Sequence, residues 1–169
     1  MKYYAVGFPI GRLNEKDEYY FMREGQMFNV NAVAFKVWSS FLHGAEVTKA
    51  LALEPLQQII GREQAEILFQ QLADVEMLVP EKEILAHVAQ RQGYGVGYSA
   101  QTGKCTVYLN GKIEISYPAY LLWAYCDGKT AFRDLMTRMP LSADQRYTEE
   151  ALLRAVDELL RDDLIVFAE

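Results

Sequence analysis

An excess of positive charge is missing from this chain. Its 17 Lys and Arg stand against 23 Asp and Glu, a formal net charge of −6. The deficit is even, with seven basic and ten acidic residues over positions 1–80 and ten and thirteen over 81–169. Neutralising phosphates supplies most of the affinity of a nucleic-acid binder, so neither half reads as a basic nucleic-acid module. Histidine is equally scarce: His43 reads as a helix-end residue and His87 as part of a connecting segment, neither set against a metal-binding or catalytic partner. The two cysteines, Cys105 and Cys126, lack metal-ligand spacing and read as reduced structural thiols. No run approaches the roughly 18 apolar residues of a membrane span, and Met1-Lys-Tyr-Tyr-Ala-Val-Gly7 lacks the apolar core of a signal peptide, so a cytosolic protein is expected. Ser39 and Ser40 read as helix surface rather than nucleophiles. Gly93-Tyr-Gly-Val-Gly97 superficially resembles a phosphate loop but lacks the helix and Lys that must follow it. No enzyme activity, cofactor or metal is expected.

What is present is ordinary core material, 51% hydrophobic residues in a chain of 169, arranged as a repeat. Asn31-Ala-Val-Ala-Phe-Lys-Val-Trp38 recurs as Ser116-Tyr-Pro-Ala-Tyr-Leu-Leu-Trp123, and these are the only two Trp. Asn31 and Ser116 are N-cap residues, able to accept from the first unpartnered N–H groups of a helix. Ala34, Val37, Trp38 and Phe41 then fall at i, i+3, i+4, i+7, and Ala119, Leu122, Trp123 and Cys126 repeat that apolar face 85 residues on.

The flanks repeat as well. Lys2–Phe8 reads as one strand, echoed by Tyr94–Tyr98 at an offset of 90. Tyr19–Arg23, a turn at Glu24-Gly25 and Met27–Val30 match Cys105–Leu109, a turn at Asn110-Gly111 and Lys112–Ile115 as hairpins. Gly44 and Gly128 read as helix stops before short helices over Glu46–Leu53 and Lys129–Met136. A third helix follows in each copy, its stripe Ala65, Leu68, Phe69 and Leu72 answered by Leu152, Ala155, Val156 and Leu159, with Thr148 as the second copy's cap. Met77–Val79 and Leu164–Val166 end the copies as helix tails or brief strands. The spacing of Ile84, Leu85 and Val88 predicts a short helical linker over 81–90, between a first unit at 1–80 and a second at 91–169.

On Phe28-Asn-Val-Asn31 and Trp38 in the first unit, on Ile113-Glu-Ile-Ser116, Trp123 and Asp127-Gly128 in the second, and on third helices ending at Met77-Leu78 and Leu164-Ile165, each unit resembles a known family. That family is the winged-helix peptide chaperone of pyrroloquinoline quinone biosynthesis, with the related recognition elements of ribosomally made, post-translationally modified peptides. The resemblance covers nearly the whole chain, twice. It implies an α+β fold of two tandem winged-helix-like units, each a small antiparallel β-sheet followed by three helices. Two departures stand out: the family usually has single units, and His43-Gly44 replaces Asp-Gly in the first copy.

The resemblance also implies a site, in which a leader peptide adds as a strand to the last strand of the hairpin and lies against the third helix. Carried over by position, the edges are Met27, Phe28, Asn29 and Val30 in the first unit and Lys112, Ile113, Glu114 and Ile115 in the second. The helix walls are Ile67, Gln70, Gln71 and Asp74, and Arg154, Asp157, Glu158 and Arg161. The competing reading of those helix positions is a solvated face, against which Ile67 stands out as apolar and off the core stripe. Lys112, Arg154 and Arg161 favour an acidic ligand on the second edge, and Met27 with Ile67 an apolar one, or internal packing, on the first, so the second edge is the expected site of a charged leader. The expected function is thus a non-catalytic peptide- or protein-recognition module, free to form a homo-oligomer. The alternatives are a winged-helix DNA-binding regulator, opposed by acidic third helices, and a purely structural interaction subunit.

Overall fold

The computed structural model describes residues 2–12, 18–23, 26–42, 49–139 and 148–168. The chain divides into two units, Met1–Ile84 with Ala168–Glu169, and Leu85–Phe167. Among the described residues the fold is α+β, with small antiparallel sheets and six α-helices.

In the first unit, β1 (Tyr3–Ala5) and β2 (Phe8–Arg12) are separate strands, because Gly7 takes a left-handed φ of 104° between them and turns the chain from one sheet into another. β2, β3 (Glu18–Arg23) and β4 (Gln26–Asn31) form a meander in that order. Asn31 caps α1 (Ala32–Ser39) by accepting the Ala34 N–H at 2.8 Å, which starts the helix where the meander ends. Ala34, Val37, Trp38 and Phe41 are all buried, as their spacing requires. The Trp38 indole donates to the Val6 carbonyl at 3.0 Å and meets the Phe21 ring edge-on at 4.6 Å. α2 (Lys49–Ile60) and α3 (Arg62–Asp74) complete the cover, α3 burying Ala65, Leu68, Phe69 and Leu72. β5 (Leu78–Pro80) then returns to pair with β1.

The second unit repeats the bonds that close this core. β6 (Val88–Arg91), β7 (Tyr94–Ser99), β8 (Lys104–Tyr108) and β9 (Lys112–Ser116) lead into α4 (Tyr117–Tyr125), capped by the Ser116 hydroxyl at 3.3 Å from the Ala119 N–H. After β10 (Asp127–Ala131) come α5 (Phe132–Arg138), α6 (Glu149–Arg161, capped by Thr148) and β11 (Ile165–Phe167). The Trp123 indole donates to the Gln92 carbonyl at 2.8 Å, as Trp38 does to Val6. The Ala5 N–H bonds to Phe41 O at 3.1 Å and the Val6 N–H to Met77 O at 2.9 Å. Arg91 bonds to Cys126 at 3.2 Å and Gln92 to Leu164 at 2.8 Å in the same places. Leu72 and Leu159 each accept from the N–H five residues on, Met77 and Leu164, across Glu76 and Asp163 at φ 55° and 54°.

This agreement corrects several expectations. The opening strand is two strands, and its second-unit counterpart lies 86 residues on, not 90. Gly7 and Gly11 fall on Gly93 and Gly97, all four at positive φ, and the bulge between Pro9 and Gly11 falls on the bulge between Gly95 and Gly97. The offset of 90 matches residue types, but backbone conformation sets the register. The linker helix over 81–90 reduces to a turn and a three-residue 3-10 helix at Ile84–Ala86, and from Val88 the chain is β6, the middle strand of the sheet β10-β6-β11. Ladders on both sides of β6 outweigh a helical spacing of three apolar residues. The helix expected from Lys129 begins at Phe132, because the Asp127 carboxylate holds the Lys129 and Thr130 N–H groups, each at 2.8 Å, and β10 pairs with β6. α2 runs on to Ile60, continuing an apolar stripe through Leu53, Leu56 and Ile60. The sheet is not simply followed by helices: the last strand of each unit closes back on the first. At the second hairpin Asn110 alone takes positive φ (55°), and the Leu109 N–H bonds to Gly111 O at 2.9 Å. Glu24-Gly25, His43-Gly44 and Glu46–Thr48 lie outside the described residues.

Candidate functional site

Sheet order places β4 and β9 at the ends of their meanders. Which backbone groups they offer follows from antiparallel alternation, in which every second residue turns its N–H and C=O away from the neighbouring strand. The Ser116 N–H bonds to Glu158 Oε1 at 2.7 Å and therefore points away from β8. With Ser116 paired to Lys104, Glu114 to Thr106 and Lys112 to Tyr108, the backbone groups of Lys112 and Glu114 also point outward, while Ile113 and Ile115 hold β8. The same register in the first unit, Asn31 with Glu18, Asn29 with Tyr20 and Met27 with Met22, turns Met27, Asn29 and Asn31 outward.

The side chains alternate accordingly. Met27 is 58% exposed and Asn29 is exposed, while Phe28 and Val30 are partly buried toward the core. Lys112 and Glu114 are exposed, Ile113 is partly buried and Ile115 fully buried. Met27–Val30 carries no charge.

The helix walls differ more. Glu158 lies against β9: its Oε1 takes the Ser116 N–H and its Oε2 the Ser116 hydroxyl, both at 2.7 Å. One helix side chain thus consumes the last outward donor of the strand and anchors the cap of α4, which makes Glu158 a structural clasp rather than part of an open wall. Arg154 faces Glu150 on its own helix at 3.5 Å with both side chains exposed, a pair of little energetic weight. Arg161 is exposed and Asp157 partly buried. In the first unit Gln71 occupies the position of Glu158 and is exposed. Gln70 donates to Asp74 at 2.7 Å, and Ile67 is 44% exposed. Arg23, at the end of β3, bonds to Val75 O and the Glu76 carboxylate, which fixes the start of β4 beside the end of α3.

Elsewhere the second unit holds a local polar cluster at the start of β10. Asp127 accepts from the N–H groups of Lys129 and Thr130 and from the Thr130 hydroxyl at 2.9 Å, and Arg138 donates to that hydroxyl at 3.0 Å. These donors, the Lys129 N–H foremost, hold the Asp127 carboxyl below its ordinary pKa. Cys126 is pushed up to about 12, chiefly by burial, and burial raises Cys105 too, so neither free thiol is activated. Among the described residues no group of His, Cys, Asp and Glu has the arrangement of a metal site, and no helix is long and apolar enough to cross a membrane. His87 packs edge-on to Phe167 at 6.0 Å while its carbonyl receives the Phe132 N–H.

Sequence reasoning also missed a row of exposed aromatics on the opposite edge of the second meander, where Tyr94 and Tyr98 are each 61% exposed. Their alternation with Gly was visible, but the strand's place in the sheet was not. No family model, no curated protein and no solved structure matches the chain.

Proposed function

We propose that this protein is a non-catalytic recognition module of the cytosol whose first unit receives an extended peptide as an added strand on β4, in the manner of winged-helix peptide-recognition elements. The observation that carries this reading is the difference between Gln71 and Glu158. The second unit's edge is closed at Ser116 by its own third helix, whereas the first unit's edge keeps Met27, Asn29 and Asn31 turned outward. An extended chain satisfies such groups while its alternate side chains read the flanking surface. That surface is uncharged along β4 and offers Met27 and Ile67, so the ligand is a segment with an apolar residue at every second position. Each unit's three-stranded meander, capped Trp helix and third helix support the winged-helix comparison. Two buried free thiols fit a reducing compartment.

Selection of peptides from a random linear library on the full chain, followed by amide exchange with the selected peptide, tests this. The amides of Met27, Asn29 and Asn31 are expected to exchange freely alone and to be protected on binding. Their protection in the free protein, or binding that leaves them unprotected, overturns the reading. DNA binding is not expected: the third helices and their ends carry four acidic residues against one basic over 62–76 and six against two over 148–163, an excess that meets phosphate with like charge. A gel shift with duplex DNA that weakens steeply with added salt is the contrary result.

A further inference from the structure

We propose that the outer edge of β7 is a self-association surface, on which a second copy of this chain pairs antiparallel about a two-fold axis. The proposal is independent of the peptide edge on β4. β7 ends its meander, and Tyr94, Val96 and Tyr98 are 61%, 55% and 61% exposed. Val107 and Cys105 face Ile113 and Ile115 in the bonded pairs of the β8–β9 ladder, so their partners on the other side, Gly95 and Tyr98, turn their N–H and C=O groups away from β8.

Natural edge strands are normally blunted by Pro or charge, and the first unit supplies the comparison. Its equivalent edge, β2, has the same bulge in the same register, with Pro9 at the place of Gly95 and exposed Arg12 at the place of Tyr98. Pro9 removes the outward N–H that Gly95 retains, and Arg12 places a charge where two identical edges would repel. β7 has neither device: from Gln92 to Ser99 there is no charged residue and no proline.

A second copy is the occupant that suits this edge. An antiparallel copy about a two-fold axis sets this edge against itself, and residues 92–99 carry no charge with which two identical edges would repel each other. Gly95 of one copy exchanges N–H···O=C bonds with Tyr98 of the other, twice by symmetry. The tyrosines are already braced for contact, Tyr94 stacked on Tyr108 at 5.3 Å and Tyr98 edge-on to Tyr117 at 6.2 Å, and rigid Tyr is favoured at interfaces. Gly95 is committed within its own chain, since a Cβ there falls 2.4 Å from the Tyr120 hydroxyl.

Sedimentation equilibrium of the full chain from micromolar to millimolar concentration tests this. The mass is expected to rise from 19.3 kDa toward twice that value. Val96→Lys places two cations at the axis and is expected to weaken association by about tenfold or more with an unchanged melting temperature, because Val96 is exposed. Ile10→Lys, on the equivalent bulge of β2, is expected to leave association unaltered. The amides of Gly95 and Tyr98 are expected to gain protection as concentration rises, which tests the edge without any substitution. A mass of 19.3 kDa throughout, association unmoved by Val96→Lys, or no concentration-dependent protection overturns the proposal.

Discussion

The two units share the backbone bonds that close their cores and differ along both edges of their meanders. Trp38 and Trp123 donate to equivalent carbonyls, Ala5 and Arg91 bond at equivalent helix ends, and the final strands pair in the same register. At the edges, Pro9, Arg12, Met27 and Gln71 of the first unit stand at the positions held by Gly95, Tyr98, Lys112 and Glu158 in the second. A core position must satisfy packing and a hydrogen-bond partner at once, which leaves few acceptable residues. An edge position meets mainly water, so one copy can be sealed where the other stays open. The pairing of a conserved interior with divergent edges is why two copies of one fold offer different surfaces.

The comparison breaks most severely at the tryptophans. Trp38→Ala or Trp123→Ala is expected to cost about 3–5 kcal/mol in chemical denaturation, enough to unfold the unit that carries it. Trp38 is expected to cost more: it is fully buried against Phe21, whereas Trp123 is covered by Tyr120 at 5.4 Å and by the Arg91 guanidinium at 5.5 Å. Both indoles are expected to emit in the blue-shifted range of buried Trp.

Exchanging the clasp sharpens the comparison. Glu158→Gln is expected to destabilise the second unit by about 1–2 kcal/mol, the weight of a charge-assisted bond to a partly buried group, and to speed amide exchange at Ser116. The reverse change, Gln71→Glu, is expected to draw the Asn31 N–H into an equivalent bond, slowing its exchange and weakening peptide binding at β4. Unchanged exchange at both positions would remove the asymmetry on which the proposed function rests.

A smaller effect is expected at Asp127. Its carboxyl titrates below the ordinary value because it accepts from the Lys129 and Thr130 N–H groups and the Thr130 hydroxyl. Such a group contributes stability above its unfolded pKa and loses it as pH falls through the lowered folded one. Acid melting curves are expected to show the wild type losing its advantage over Asp127→Asn only in that acid range. Least change is expected at the thiols: with Cys126 at about 12 and Cys105 also raised, a disulfide reagent near neutral pH should react slowly with the native chain and readily after denaturation.

Local chemistry made much of the interior legible. Asn31 and Ser116 announce helix starts, and the Trp stripes and third-helix stripes come out buried as written, because a cap and a 3.6-residue period are properties of neighbouring residues. The hairpin matching Tyr19–Arg23 to Cys105–Leu109 is likewise the one found.

The failures share a cause. Val88 lay at helical spacing with Ile84 and Leu85 but joined a strand flanked on both sides, and Tyr94 matched Tyr4 by type but sits where Phe8 sits. Glu158 looked like one of a helix's solvated positions until its partner, the Ser116 N–H 42 residues earlier, came into place. The sequence by itself determined where helices begin, which faces are apolar and that the unit occurs twice, since these depend on residues a few positions apart. Tertiary structure alone decided which strands pair, which edges remain open and which carboxylate closes one of them, because a ladder or clasp forms only when distant segments meet and satisfy each other's backbone groups.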